Sequence, residues 1–187
     1  MFRKVFFKHL PLVLLVCVVL SCKQLEPIIR PTVVKSADGK FQITVPAGWR
    51  EGAGLKSEAN IKAGNPLRDM YVLVITEPKA DFADDVTIDK FTDLTVKSMS
   101  SNVASAESSP ALPVKINGNT GRQYLLQGIV DSMKISYLIT TVETAEHYHK
   151  IVTWTTPSRM GKNQLILEGV TNSFRDVAGP VDIGPPP

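Results

Sequence analysis

Gly121-Arg-Gln-Tyr-Leu-Leu-Gln-Gly-Ile-Val130, Lys134-Ile-Ser-Tyr-Leu-Ile-Thr-Thr-Val-Glu143 and His147-Tyr-His-Lys-Ile-Val-Thr-Trp-Thr155 follow one another closely. Only Asp131-Ser-Met133 and Thr144-Ala-Glu146 separate them. Each run is rich in β-branched and aromatic residues, and each gap is long enough only for a reversal. The three therefore read as consecutive antiparallel strands. Ahead of them residues 111–116 and the turn pair Asn117-Gly118 add a fourth strand, which makes an antiparallel meander.

Beyond the meander Pro157 stops the last strand, and Ser158 is placed to cap a final helix running to about residue 174. Ile166, Val170 and Phe174 recur at i, i+4 and i+8 with Leu167 beside them, while Gly161 and Gly169 weaken the helix. Packing against the sheet must hold it. On the other side, residues 105–110 read as a loop. Residues 85–102 change period, with Ile88, Phe91, Thr95 and Met99 in one helical stripe, Thr87 as N-cap and Asp89 in the first turn. Met70-Tyr-Val-Leu-Val-Ile-Thr76 is apolar on both faces, as a central strand covered on both sides would be. Residues 33–36 and 41–45 flank Ala37-Asp-Gly-Lys40, a hairpin signal, and Pro46-Ala-Gly-Trp49 ends the second strand. The sum is an α+β layered domain over residues 33–176, with a central antiparallel sheet flanked by helices.

The first residues differ in kind. Arg3, Lys4 and Lys8 precede Leu10-Pro-Leu-Val-Leu-Leu-Val-Cys-Val-Val-Leu20, a run without a charge. As a helix it covers roughly 16 Å against a hydrocarbon core of about 30 Å, a length that suits the h-region of a signal peptide. Val19-Leu-Ser-Cys22 then resembles the lipobox of bacterial lipoproteins, with Leu20 bulkier than usual. That resemblance implies a signal peptide over residues 1–21, cleavage before Cys22, and acyl chains on Cys22 that hold the protein to the membrane. Residues 22–32 read as a tether and 177–187 as a disordered Gly/Pro tail. Lys23 is not the aspartate that favours inner-membrane retention, so in a cell with two membranes the outer membrane's periplasmic face is expected. In a cell with one membrane, the outer face of that membrane is expected.

Removing the leader takes three of the 21 basic residues and leaves 18 against 18 acidic ones. The expected mature domain is near neutral, and no basic patch argues for nucleic acid. Of the two cysteines, Cys17 falls in the leader and Cys22 carries the lipid, so no disulfide or thiolate metal site is expected in the domain.

Phe41-Gln-Ile-Thr-Val-Pro-Ala-Gly-Trp49 resembles the opening strand and Pro-x-Gly-Trp corner of the PsbP-like and DcrB-like families. Asn117-Gly118 before a long meander and Thr171-Asn-Ser-Phe174 resemble their later motifs, so the likeness covers about residues 33–175. The resemblance implies a central antiparallel sheet flanked by helices. It also implies a binding or assembly role, as in photosystem II extrinsic subunits, a Ran-binding factor, effector chaperones and bacterial lipoproteins.

Candidate chemistry is sparse. His147 and His149 share a strand face, but two imidazoles fill only half of a tetrahedral shell, so no tight zinc or copper site is expected. Asp81, Asp84, Asp85 and Asp89 match no calcium loop and complement the helix that follows. Gly52-Ala-Gly-Leu-Lys-Ser57 falls short of a phosphate-cradling loop. Trp49 and Trp154 read as core or rim aromatics, and the Trp49 corner with the loop to Pro66 is the candidate binding surface. No Gly-x-Ser-x-Gly, Ser-x-x-Lys, His-Glu-x-x-His or Walker sequence is present. The expectation is a membrane-anchored, non-enzymatic domain without cofactor that binds a protein partner or stabilises an envelope assembly. A photosystem-type extrinsic subunit and a hydrolase with an unrecognised site are the alternatives.

Overall fold

The apolar stretch at residues 70–76 is fully buried on one face, through Met70, Val72 and Val74, and half-buried on the other, through Tyr71, Leu73 and Ile75. The computed structural model describes residues 30–177. The expected signal segment, Cys22, tether residues 23–29 and tail residues 178–187 lie outside the described residues. In chain order the first strands are β1 (Thr32–Lys35), β2 (Phe41–Val45), β3 (Arg50–Glu51), β4 (Ile61–Asn65) and β5 (Met70–Pro78). Helix α1 (Ile88–Ser101) precedes β6 (Ala104–Ser108), β7 (Leu112–Ile116), β8 (Asn119–Val130), β9 (Met133–Glu143) and β10 (His147–Thr155). Helix α2 (Pro157–Asn172) and β11 (Arg175–Asp176) follow.

An eight-stranded antiparallel sheet runs β3-β4-β5-β10-β9-β8, with β6 and β7 both pairing to β8 at its far edge. A second sheet, β1-β2-β11, lies apart from it. Met70, Val72, Val74, Leu138, Val142 and Ile151 form one face of the large sheet, which packs with the β1–β2 hairpin and with Leu167, Val170 and Phe174. Tyr124, Leu126, Ile139 and Val152 form the other face, beneath Val96 and Met99 of α1. The layers are thus α1, the large sheet, and α2 beside the small sheet.

Local chemistry explains the elements. Thr87 caps α1, accepting from the Lys90 amide at 3.4 Å, and Ile88, Phe91, Thr92 and Thr95 are its buried face. Thr92 bonds the Ile88 carbonyl and meets the Thr141 hydroxyl at 2.6 Å, joining the helix to β9. Asn117 (φ 47°) and Gly118 (φ 85°) form the tight turn from β7 to β8, where both central residues need positive φ. Asp131 (φ 49°) and Ser132 (φ 65°) do the same between β8 and β9, so Met133 belongs to the strand and not to the turn.

Several elements differ from expectation. Residues 105–110, read as a loop, contribute to β6, an edge strand held by backbone pairing to β8 with an irregular register. Its side chains are mostly exposed, so no apolar alternation marks it. Strand β4 escaped notice because Ala63 and Gly64 are small for a reason of packing. A Cβ on Gly64 would sit 2.6 Å from the Tyr71 ring and 2.9 Å from the Met70 carbonyl oxygen. Thr156, not Ser158, occupies the N-cap of α2, with Pro157 at the first helical position where its missing N–H is no loss. The buried stripe of α2 is Met160, Asn163, Leu167, Val170 and Thr171, and Leu165 points out at 80% exposure.

Two substitutions in α2 test this account in opposite directions. Gly161 has open space where a Cβ would stand, so Gly161→Ala should stabilise the fold by about 0.5–1 kcal/mol. Leu167 is fully buried, and Leu167→Ala should cost about 2–5 kcal/mol. Urea denaturation reads both, and a destabilising Gly161→Ala would contradict the described exposure of that helix face.

Candidate functional site

Strand alternation sends His147 and His149 of β10 toward the small sheet and Tyr148 the other way. Tyr148 stacks on Phe91 of α1 with centroids 4.6 Å apart, and its hydroxyl donates to the Val86 carbonyl at 2.5 Å. On the opposite face Phe41 of β2 lies edge-on to both imidazoles, at 5.3 Å from His147 and 5.0 Å from His149. Phe174, just past α2, covers His149 at 4.7 Å.

Strand β11 completes the arrangement. Asp176 pairs with Phe41 across the small sheet, which brings its carboxylate to the histidines. One ring nitrogen of each histidine and one Asp176 oxygen lie within 4.8 Å of one another. Among the described residues this is the one group of three or more His, Cys, Asp or Glu side chains close enough to share an ion. The shared face of His147 and His149 was legible from their spacing. The third member was not, because Asp176 arrives from the far side of α2.

His149 is fully buried, while His147 at the start of β10 is half-buried. The His149 Nδ1 lies 3.0 Å from the Thr76 hydroxyl and its Nε2 lies 3.2 Å from that of Thr144. Burial pushes its pKa down to about 4, the Asp176 carboxylate opposes that shift, and His147 adds to it. The ring is therefore neutral near pH 7, with one nitrogen donating and the other accepting. His147 has a buried Nδ1 with no hydrogen-bond partner among the described residues, which costs about 1–3 kcal/mol where water does not reach.

The other sequence candidates are placed differently. The Trp49 ring is 7% exposed and packs in the main core, so contacts made at that corner fall to the loop beside it and not to the indole. The acidic residues are drawn apart by cations: Asp85 pairs with Lys90, and Asp89 meets Arg122 at 2.6 Å. The Gly52 region is a turn, its amide donating to the Lys62 carbonyl at 2.8 Å. Sequence reading missed an open hollow of about 620 Å³ at α2, lined by Arg68, Arg159, Lys162, Asn163 and Ile166. Leu67, 92% exposed, adjoins it in the chain, and Leu165 stands one helical turn from Lys162.

The buried imidazole makes stability depend on pH. Unfolded, His149 takes a proton near 6.5; folded, only near 4. Between those values the unfolded chain holds more protons, so stability is complete above pH 6.5 and falls as pH drops toward 4. The loss is on the order of 3 kcal/mol between pH 7 and pH 4. Urea midpoints across that range, with chelator present, should show a slope that His149→Gln reduces; an unchanged slope would contradict it.

No family model matches the sequence, and no curated protein matches it. Solved structures do. The solution structure of cyanobacterial PsbP (CyanoP) from Synechocystis sp. PCC 6803 has a TM-score of 0.59 at 17% identity, covering 83% of this chain and 97% of that one. LpqN, involved in cell envelope biogenesis of Mycobacterium tuberculosis, has a TM-score of 0.56 at 12% identity, covering 77% and 88%. A Bacteroides thetaiotaomicron protein has a TM-score of 0.53 at 12% identity, covering 79% and 48%. At these identities the likeness is one of fold: this chain has a PsbP-like α+β architecture.

Proposed function

We propose that the protein is a lipid-anchored, non-enzymatic component of the bacterial cell envelope that docks a protein partner on the α2 side of its domain. The observation that carries the anchor is the sequence Val19-Leu-Ser-Cys22 after a short apolar run. The charge-free run is shorter than a bilayer needs, and among the described residues no helix is long and apolar enough to cross a membrane. The likeness in fold to LpqN, a protein involved in cell envelope biogenesis, is compatible with that address.

For the partner, the hollow at α2 supplies the surface. Leu67 and Leu165 are large apolar side chains left in solvent, and Arg68, Arg159 and Lys162 are the cations beside them. Arg159 is held by Asp69 at 3.0 Å, which fixes its direction. Exposed apolar groups with an excess of cations beside them suit an acidic protein partner. The histidine that touches hydroxyls, His149, is closed to solvent, which disfavours a hydrolase built on it.

Cys22→Ala should abolish palmitate labelling and leave the precursor unprocessed or free of membranes; unchanged labelling would sink the anchor. Docking is tested by affinity capture from detergent-solubilised membranes. A partner retained by Leu112→Asp but lost from Leu67→Asp/Lys162→Glu supports the α2 surface. Equal capture by both variants removes it.

A further inference from the structure

We propose that His147, His149 and Asp176 form a zinc site that ties the small sheet to the large one. The three donors come from β10 and β11, which belong to different sheets. Phe41 lies against both imidazoles and Phe174 against that of His149, so His149 is closed to solvent while His147 and Asp176 are half-buried. Two imidazoles and one carboxylate are a donor set that zinc takes readily, and three protein ligands leave one position for water or a partner's side chain.

Geometry allows the ion. A tetrahedral zinc with bonds of about 2.0–2.1 Å holds its donors roughly 3.4 Å apart. The donors here lie within 4.8 Å, so closing on the ion asks for about 1 Å of side-chain movement. The supporting groups are already present. Thr76 and Thr144 hold the two nitrogens of His149, so whichever nitrogen turns to zinc, the other keeps a hydroxyl that fixes the ring. The buried Nδ1 of His147, without a hydrogen bond among the described residues, is a donor atom with nothing else to satisfy it. The expectation of no tight zinc rested on there being two ligands; the fold supplies a third.

The test uses the full chain in detergent with Cys17→Ser and Cys22→Ser, so that no thiolate competes. Zinc titration by calorimetry at neutral pH should give one equivalent with submicromolar Kd. Asp176→Asn and His147→Gln should each weaken binding at least about tenfold. Both variants keep side-chain size at partly exposed positions, and their zinc-free circular dichroism should match the parent. Zinc should raise the melting temperature of the parent and not of either variant. Cobalt(II) should show the visible bands of a four- or five-coordinate site. Binding weaker than micromolar, binding that survives either substitution, or six-coordinate cobalt overturns the proposal.

Discussion

The two-faced apolar character of β5, β9 and β10 is the constraint from which the rest of the architecture follows. A sheet that is apolar on both faces must be covered twice, since each buried aliphatic side chain contributes about 1.5–3 kcal/mol only if water is excluded. Helix α1 covers one face through Val96 and Met99. The other face is too broad for α2 alone, and the β1–β2 hairpin shares the task. With no cysteine among the described residues, that double cover is what holds the domain together.

The same constraint creates the polar cluster. His147 and His149 fall on the face that the small sheet covers, which closes His149 off from bulk water and leaves His147 half-buried. Thr76 and Thr144 meet the needs of His149. The strand that closes the small sheet, β11, is two residues long and carries Asp176 to the same place. A cluster of two imidazoles and a carboxylate between two sheets is an unusual use of interior space, because buried polar groups cost free energy unless paired. An ion would turn that cost into a cross-link.

The PsbP-like fold is a scaffold that does not by itself fix an activity. What distinguishes this chain is where its polar and exposed apolar groups fall on the scaffold. The cluster at β10 and β11 is half-buried around a fully buried His149, while the hollow at α2 is open, basic and flanked by leucines. The first suits a small ion, the second a macromolecule, and the two share no residue.

Strand and helix periodicity determined much by itself. The meander, the hairpin ahead of Trp49, the central strand at residue 70 and the cap at Thr87 follow from side-chain alternation and turn chemistry within a few residues. Those signals are local, and the structure keeps them. Strand β6 has exposed side chains and β4 has small ones, so their pairing was set by a neighbour's backbone and not by their own pattern. Which residues of α2 face inward was likewise decided by the sheet beneath, which chose Leu167 and left Leu165 in solvent. The site shows the division most plainly. A spacing of two along a strand put His147 and His149 on one face, but no periodicity connects them to Asp176. Only the return of the chain after α2, pairing β11 with β2, brings that carboxylate to the imidazoles.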